Sequence, residues 1–124
     1  MPFSQRKAEE TARRCVGSDN LIVGCIGPAG RPEAVICLTI GQFWYSDQPH
    51  LEELFVYVVP EYRQSKRAFA LLDYAKRCAR RLGVPLLVGI LSQRRTEGKV
   101  RLYSRQLGKP AGAYWIYNGR TGQI

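Results

Sequence analysis

The residues best placed to do chemistry stand together at one junction, Val59-Pro60-Glu61-Tyr62-Arg63-Gln64-Ser65-Lys66-Arg67-Ala68. An apolar run from Leu54 to Val59 leads into it, and a helical pattern leads out. Free backbone N–H groups and the positive end of the helix dipole therefore face outward there, an arrangement that takes anions. Arg63, Lys66 and Arg67 beside a helix start oppose the dipole, at a cost of about 0.3–1 kcal/mol each at low salt. A phosphate-bearing ligand would offset that repulsion. Ordinary surface side chains on a helix stabilised elsewhere would merely tolerate it. On physics alone the two readings stand level.

A junction of this kind needs a buried strand before it and a long helix after it. Leu51 to Val59 is apolar on both faces in its second half, as in a central strand, and Pro60 ends it because proline donates nothing to a ladder. From Tyr62 to Leu82, Phe69, Leu72, Ala75, Ala79 and Leu82 recur at helical steps, with Arg67, Lys76, Arg77, Arg80 and Arg81 largely on the other side. Gly83 stops the helix, and Val84–Leu91 reads as a second buried strand. Strand, helix and strand form a βαβ unit, so the two strands run parallel with a right-handed crossover.

The flanking segments complete the sheet. Leu21–Ile26 and Ala34–Ile40, joined by Gly27-Pro28-Ala29-Gly30-Arg31-Pro32, read as an antiparallel hairpin, with Phe43-Trp44-Tyr45 extending its second strand. Ser4 to Val16 is weakly amphipathic and reads as a first helix. Thr96–Leu107 is a shorter helix closed by Gly108-Lys109-Pro110, and Ala113–Tyr117 is a last strand before a frayed tail over residues 118–124. The fold class is α+β: a mixed, mostly antiparallel sheet with one parallel crossover and helices on both faces, in a single domain spanning 1–124.

Composition narrows the function classes. With 124 residues and 45% hydrophobic content the chain is expected to be globular, and no apolar run reaches the ~20 residues of a membrane span. The polar N-terminus does not resemble a signal peptide. Four cysteines, Cys15, Cys25, Cys37 and Cys78, form no C-x-x-C pair, and His50 is the sole histidine, so a zinc site is not expected. Reduced, packed thiols suit a cytoplasmic protein. The net charge of +9 divides into −2 over residues 1–53 (five basic, seven acidic) and +11 over 54–124 (fourteen basic, three acidic). That imbalance predicts an anionic ligand or partner on one side, against the plainer reading of a solvated helix face.

Val56-Tyr57-Val58-Val59-Pro60-Glu61-Tyr62-Arg63, followed by Ala68, Ala70, Leu71 and Leu72, resembles motif A of the GNAT (Gcn5-related N-acetyltransferase) superfamily. Val100-Arg101-Leu102-Tyr103, with Leu107-Gly108, is similar to that family's closing segment. The resemblance covers about residues 50–110. It implies acetyl-CoA as cosubstrate, with the pyrophosphate on the loop Arg63, Gln64, Ser65, Lys66, Arg67 and Ala68. It also implies that Val56 to Val58 bind the pantetheine and thioester, the Val58 amide serving as oxyanion donor. Tyr103 falls where the family protonates the departing thiolate, and Glu53, then Glu52, are the candidate bases for the attacking amine. The acceptor is an amine, and the basic half favours an acidic or nucleic-acid-associated protein.

The loop departs from the motif at positions 64 and 66, where the family has glycine and this chain has Gln64 and Lys66. Thr96 replaces an asparagine and Lys109 a phenylalanine. These departures motivate a second reading, a GNAT-like binding protein without activity, host- or virion-directed. A third is a nucleic-acid-binding module using Arg77, Arg80, Arg81, Arg94, Arg95 and Arg101, although no known nucleic-acid motif accompanies them. Plainer roles stand beside each candidate: Tyr103 as a core tyrosine, Glu52 and Glu53 as a solvated strand edge, His50 as a loop residue. Trp44, Tyr45, Tyr114, Trp115 and Tyr117 read as core or sheet face sooner than as a base-stacking surface. The aromatic end strand leaves room for a homodimer.

Overall fold

The computed structural model describes residues 6, 10, 21–90, 96–113, 115 and 117–120. Strands β1 (Leu21–Ile26) and β2 (Ala34–Gln42) form the antiparallel hairpin, with Leu21 opposite Thr39 and Ile26 opposite Ala34. Gly27 makes the turn at φ +125°, where an added Cβ would lie 2.7 Å from the Arg31 carbonyl oxygen. Strand β3 (Pro49–Val58) pairs antiparallel with β2, and β4 (Leu86–Leu87) pairs parallel with β3, giving the order β1-β2-β3-β4. Between β3 and β4 runs helix α1 (Arg67–Leu82), and α2 (Thr96–Leu107) follows β4.

The core lies between the sheet and α1. Ile36, Leu38 and Leu51 from the sheet are fully buried against Leu71, Ala75 and Ala79, which recur at four-residue steps on α1. Gly83, at φ +69°, ends the helix in the left-handed region, and the Val84 amide reaches back to the Ala79 carbonyl at 3.1 Å. Near the far end α2 is tied to α1: Lys76 Nζ donates to the Gln106 carbonyl at 3.1 Å, and Gln106 Nε2 donates to the Phe69 carbonyl at 3.1 Å.

Several boundaries differ from the sequence expectation. The helix starts at Arg67 rather than Tyr62; Pro60–Tyr62 is a single 3₁₀ turn and residues 63–66 are not helical. Side-chain hydrogen bonds of Arg63 and Ser65, described below, hold that stretch out of the helix. Phe69 and Leu82 are exposed, so the buried stripe is Leu71, Leu72, Ala75 and Ala79. Strand β2 stops at Gln42, because Ser46 N bonds the Phe43 carbonyl and turns the chain. Trp44 is 95% exposed, not core. Of the strand expected over Val84–Leu91, the described residues pair only at Leu86–Leu87, and Leu91 lies outside them. Ala113, Trp115 and Tyr117 belong to no strand, and both named aromatics are exposed. The helix expected over Ser4–Val16, and with it cover for the second sheet face, lies outside the described residues except Arg6 and Glu10, which are helical and ion-paired at 2.8 Å.

Candidate active site

The site is created where β3 and β4 part. Their parallel pairing ends at Glu52 opposite Leu87. Two residues later, β3 carries an extra residue: Cys37 faces Phe55 and Leu38 faces Glu53, leaving Leu54 as a bulge. A bulge bends the strand, and here it also changes which amides face which edge. N–H groups alternate edges along a strand. Leu51 N points toward β4, where it bonds the Pro85 carbonyl at 2.8 Å, whereas Val59 N points toward β2, bonding the Glu33 carbonyl at 2.9 Å. An uninterrupted strand would send residues 51 and 59 the same way. With the bulge between them, Val56 and Val58 present their amides to the edge that β4 has left.

Glu53 stands at the mouth of this opening. As consecutive strand residues, Glu52 and Glu53 send their side chains to opposite faces. Glu52 turns to His50, with Oε2 3.2 Å from Nε2. Glu53 turns to the end of β4, where the Gly89 amide donates to Oε2 at 3.4 Å. Burial raises the Glu53 pKa above the ordinary glutamate value, opposed by the Gly89 hydrogen bond and the Lys99 ammonium and reinforced by the Glu52 charge. Tyr103, one helical turn after Lys99 on α2, is pushed up to about 12, first by burial and then by the negative charge of Glu53. The structure thus brings Glu53 and Tyr103 together. It leaves Glu52 on the other face, paired with a histidine.

His50 is therefore not a loop residue. It lies in β3, 4% exposed, stacked on Phe43 with ring centroids 4.4 Å apart. The following loop runs from Arg63 to Lys66. Arg63 folds back over the strand, donating from Nε to the Val58 carbonyl at 2.9 Å. Ser65 Oγ donates to the Tyr62 carbonyl and accepts the Arg67 amide at 3.3 Å. Gln64 and Lys66 are exposed and Ala68 half-buried. The Arg67 guanidinium lies over the Tyr62 ring, 4.1 Å from its centroid, and bonds Glu33 Oε1 through Nε at 2.8 Å and Nη2 at 2.6 Å. Three contributors escaped the sequence reading. Lys99 was legible, four residues before Tyr103 on a helix. Gly89 and Glu33 reach the site only through tertiary pairing, which no local signal carries.

A sheet opened at its one parallel pair, with a carboxylate and a phenol at the opening and a strand-to-helix loop at its rim, is the architecture of an acyltransferase. The chain belongs to the acetyltransferase (GNAT) family, whose family model matches residues 3–109. No curated protein matches by sequence. Among solved structures, an aminoglycoside acetyltransferase from an uncultured soil metagenomic sample is similar at 17% identity and TM-score 0.67, over 86% of this chain and 71% of that one. The aminoglycoside N-acetyltransferase AAC(6')-Iy, solved in complex with CoA, gives 17% identity and TM-score 0.67 over 93% and 87%. A ribosomal-protein-alanine N-acetyltransferase from Brucella melitensis biovar Abortus 2308 gives 14% and 0.67 over 92% and 82%. At these identities the likeness is one of fold. Acetyl-CoA is the family's cosubstrate, and among the described residues no helix is long and apolar enough to cross a membrane.

Proposed function

We propose that the chain, as a single domain, moves an acetyl group from acetyl-CoA to a primary amine by direct attack in a ternary complex. The observation that carries this reading is the meeting of Glu53 and Tyr103 where β4 leaves the edge of β3. Glu53, more basic than an ordinary glutamate, takes a proton from the acceptor ammonium. The freed nitrogen attacks the thioester carbonyl, whose oxygen gathers negative charge beside the Val58 N–H. As the C–S bond breaks, the electron pair leaves on sulfur and Tyr103 donates its proton there, while the extra proton on the attacking nitrogen passes through water to restore the phenol. Val56 and Val58 offer the strand edge to the pantetheine. The loop of residues 63–68, with Lys66 at its edge, offers the pyrophosphate its seat.

The acceptor follows from charge. An excess of +11 over residues 54–124 favours an amine on an acidic or nucleic-acid-associated protein over a cationic aminoglycoside. The thiols of Cys25, Cys37 and Cys78 fit a reducing cytoplasm. A GNAT-fold binding protein without activity is the second reading, favoured by Gln64 and Lys66 where the family has glycine. Native mass spectrometry of the purified protein separates them and counts subunits: retained CoA, with thiol release from acetyl-CoA in the presence of amine-bearing peptides, is expected. Absence of bound CoA together with no thermal shift at millimolar acetyl-CoA, where binding is worth only about 4 kcal/mol, would leave the inactive reading standing.

A further inference from the structure

Both ends of the strand-to-helix loop are fastened to one residue of a different hairpin. The Glu33 carbonyl accepts the Val59 amide at 2.9 Å, at the end of β3. The Glu33 carboxylate accepts two hydrogen bonds from Arg67, the first residue of α1. Residues 63–66, most of the stretch proposed to meet the cosubstrate's phosphates, lie between those two anchors. The pair is not a loose surface contact: the side chains are only 21% and 28% exposed, and the guanidinium is held from below by the Tyr62 ring. Glu33 is itself fixed, since its own amide donates to the Ile26 carbonyl at 2.7 Å across the turn that Gly27 makes.

From this juxtaposition we infer that Glu33 is a positioning residue for cosubstrate binding, holding the loop of residues 60–66 in its binding shape through Arg67. It follows that the Arg67 side chain serves as a tether and is not itself a phosphate ligand. This inference rests on the acetyltransferase reading above and assigns a role to a residue remote in sequence from it. The physical reason is preorganisation: an untethered seven-residue loop must be ordered at the moment of binding, which lowers affinity without altering the reacting groups. The tether is charge-assisted and directional, so glutamine in place of Glu33 loses most of it while keeping the shape.

The test compares Glu33→Gln, Arg67→Ala and the double variant with the wild type, measuring CoA affinity by calorimetry and kcat and KM for acetyl-CoA. Each single variant is expected to weaken CoA binding and raise its KM about tenfold, which equals about 1.4 kcal/mol, with a smaller change in kcat. The double variant is expected to be no worse than either single one, because both remove the same tether. Thermal melting of each variant establishes that it is folded, and the charge-swapped pair Glu33→Arg with Arg67→Glu should regain part of the lost affinity. Additive losses, or Arg67→Ala falling tenfold or more below Glu33→Gln, would overturn the inference and make Arg67 a direct phosphate ligand. Unchanged affinity in Glu33→Gln would overturn it too. A wild type that binds no CoA at all would instead sink the acetyltransferase reading, which keeps the two failures apart.

Discussion

Replacing Tyr103 by phenylalanine removes one oxygen and tests the proton-donor role directly. The aromatic ring stays in place, so the change removes the acid and keeps the apolar packing of the side chain. Burial and the Glu53 charge hold its pKa at about 12, so the proton stays in place across the whole neutral and mildly alkaline range. General-acid assistance is worth typically about 10²–10⁴-fold, or about 2.7–5.5 kcal/mol. Tyr103→Phe should therefore lower kcat by that factor and leave the KM for acetyl-CoA nearly unchanged, read by thiol release at saturating donor. A thioester whose thiol is intrinsically acidic needs less protonation, so with it the deficit should shrink. A stability readout follows from linkage. Because the folded state raises this pKa, the phenol's contribution is complete below the ordinary tyrosine value of 10.0 and is lost as pH climbs from there toward 12. The phenylalanine variant should lack that alkaline decline. A kcat within threefold of wild type, or an equal loss with the acidic thioester, would refute the assignment.

Two further changes probe the same frame. Glu53→Gln should abolish base-dependent transfer yet raise the melting temperature at pH 7: burial favours the protonated carboxyl, so the wild type loses stability as pH rises above the ordinary glutamate range, and glutamine does not. Melting curves at pH 4 and pH 7 check the sign, and a stability gap that closes at pH 7 instead of pH 4 would contradict it. Gly24→Ala should destabilise by about 1–3 kcal/mol in urea unfolding, since its Cβ would stand 2.7 Å from Cε1 and 2.9 Å from Cδ1 of Tyr74, and 3.1 Å from Cγ2 of Ile36.

The sequence carried the elements whose signals are local. Helix α2 has the bounds expected of it, because the spacing of its apolar positions and Gly108-Lys109-Pro110 both act within a few residues. The hairpin and the parallel crossover were legible for the same reason. Strand β4 was over-read: a largely apolar run suits a buried strand, yet among the described residues only Leu86 and Leu87 pair. What shortens it is the bulge at Leu54, on another strand, and nothing about a leucine in an apolar run announces a bulge. The site divides similarly. Glu53 and Tyr103 could be named from motif positions, but their proximity depends on how β3 bends. The choice between Glu52 and Glu53 became a matter of strand alternation once the register was known, with Glu52 spent on a buried His50.

The loop shows why a missing glycine need not mean a missing site. Glycine serves such a loop in two ways, by taking a positive φ and by letting a phosphate approach the backbone closely. The first use does not arise at Lys66, where φ is −85° and ψ 10°, nor at Arg63, where φ is −69° and ψ −28°. Both are conformations any L-residue adopts. The second use concerns side chains, and here they are cleared from the loop in three directions. Arg63 lies back on the Val58 carbonyl, Ser65 is turned in to the Tyr62 carbonyl and the Arg67 amide, and Arg67 is drawn off to Glu33. Gln64 and Lys66 extend into solvent. Hydrogen bonds hold the Arg63 and Arg67 side chains aside here, where glycines would have no side chains to hold. The arrangement is less forgiving of mutation, because it depends on Glu33, which stands 34 positions before Arg67 in the chain.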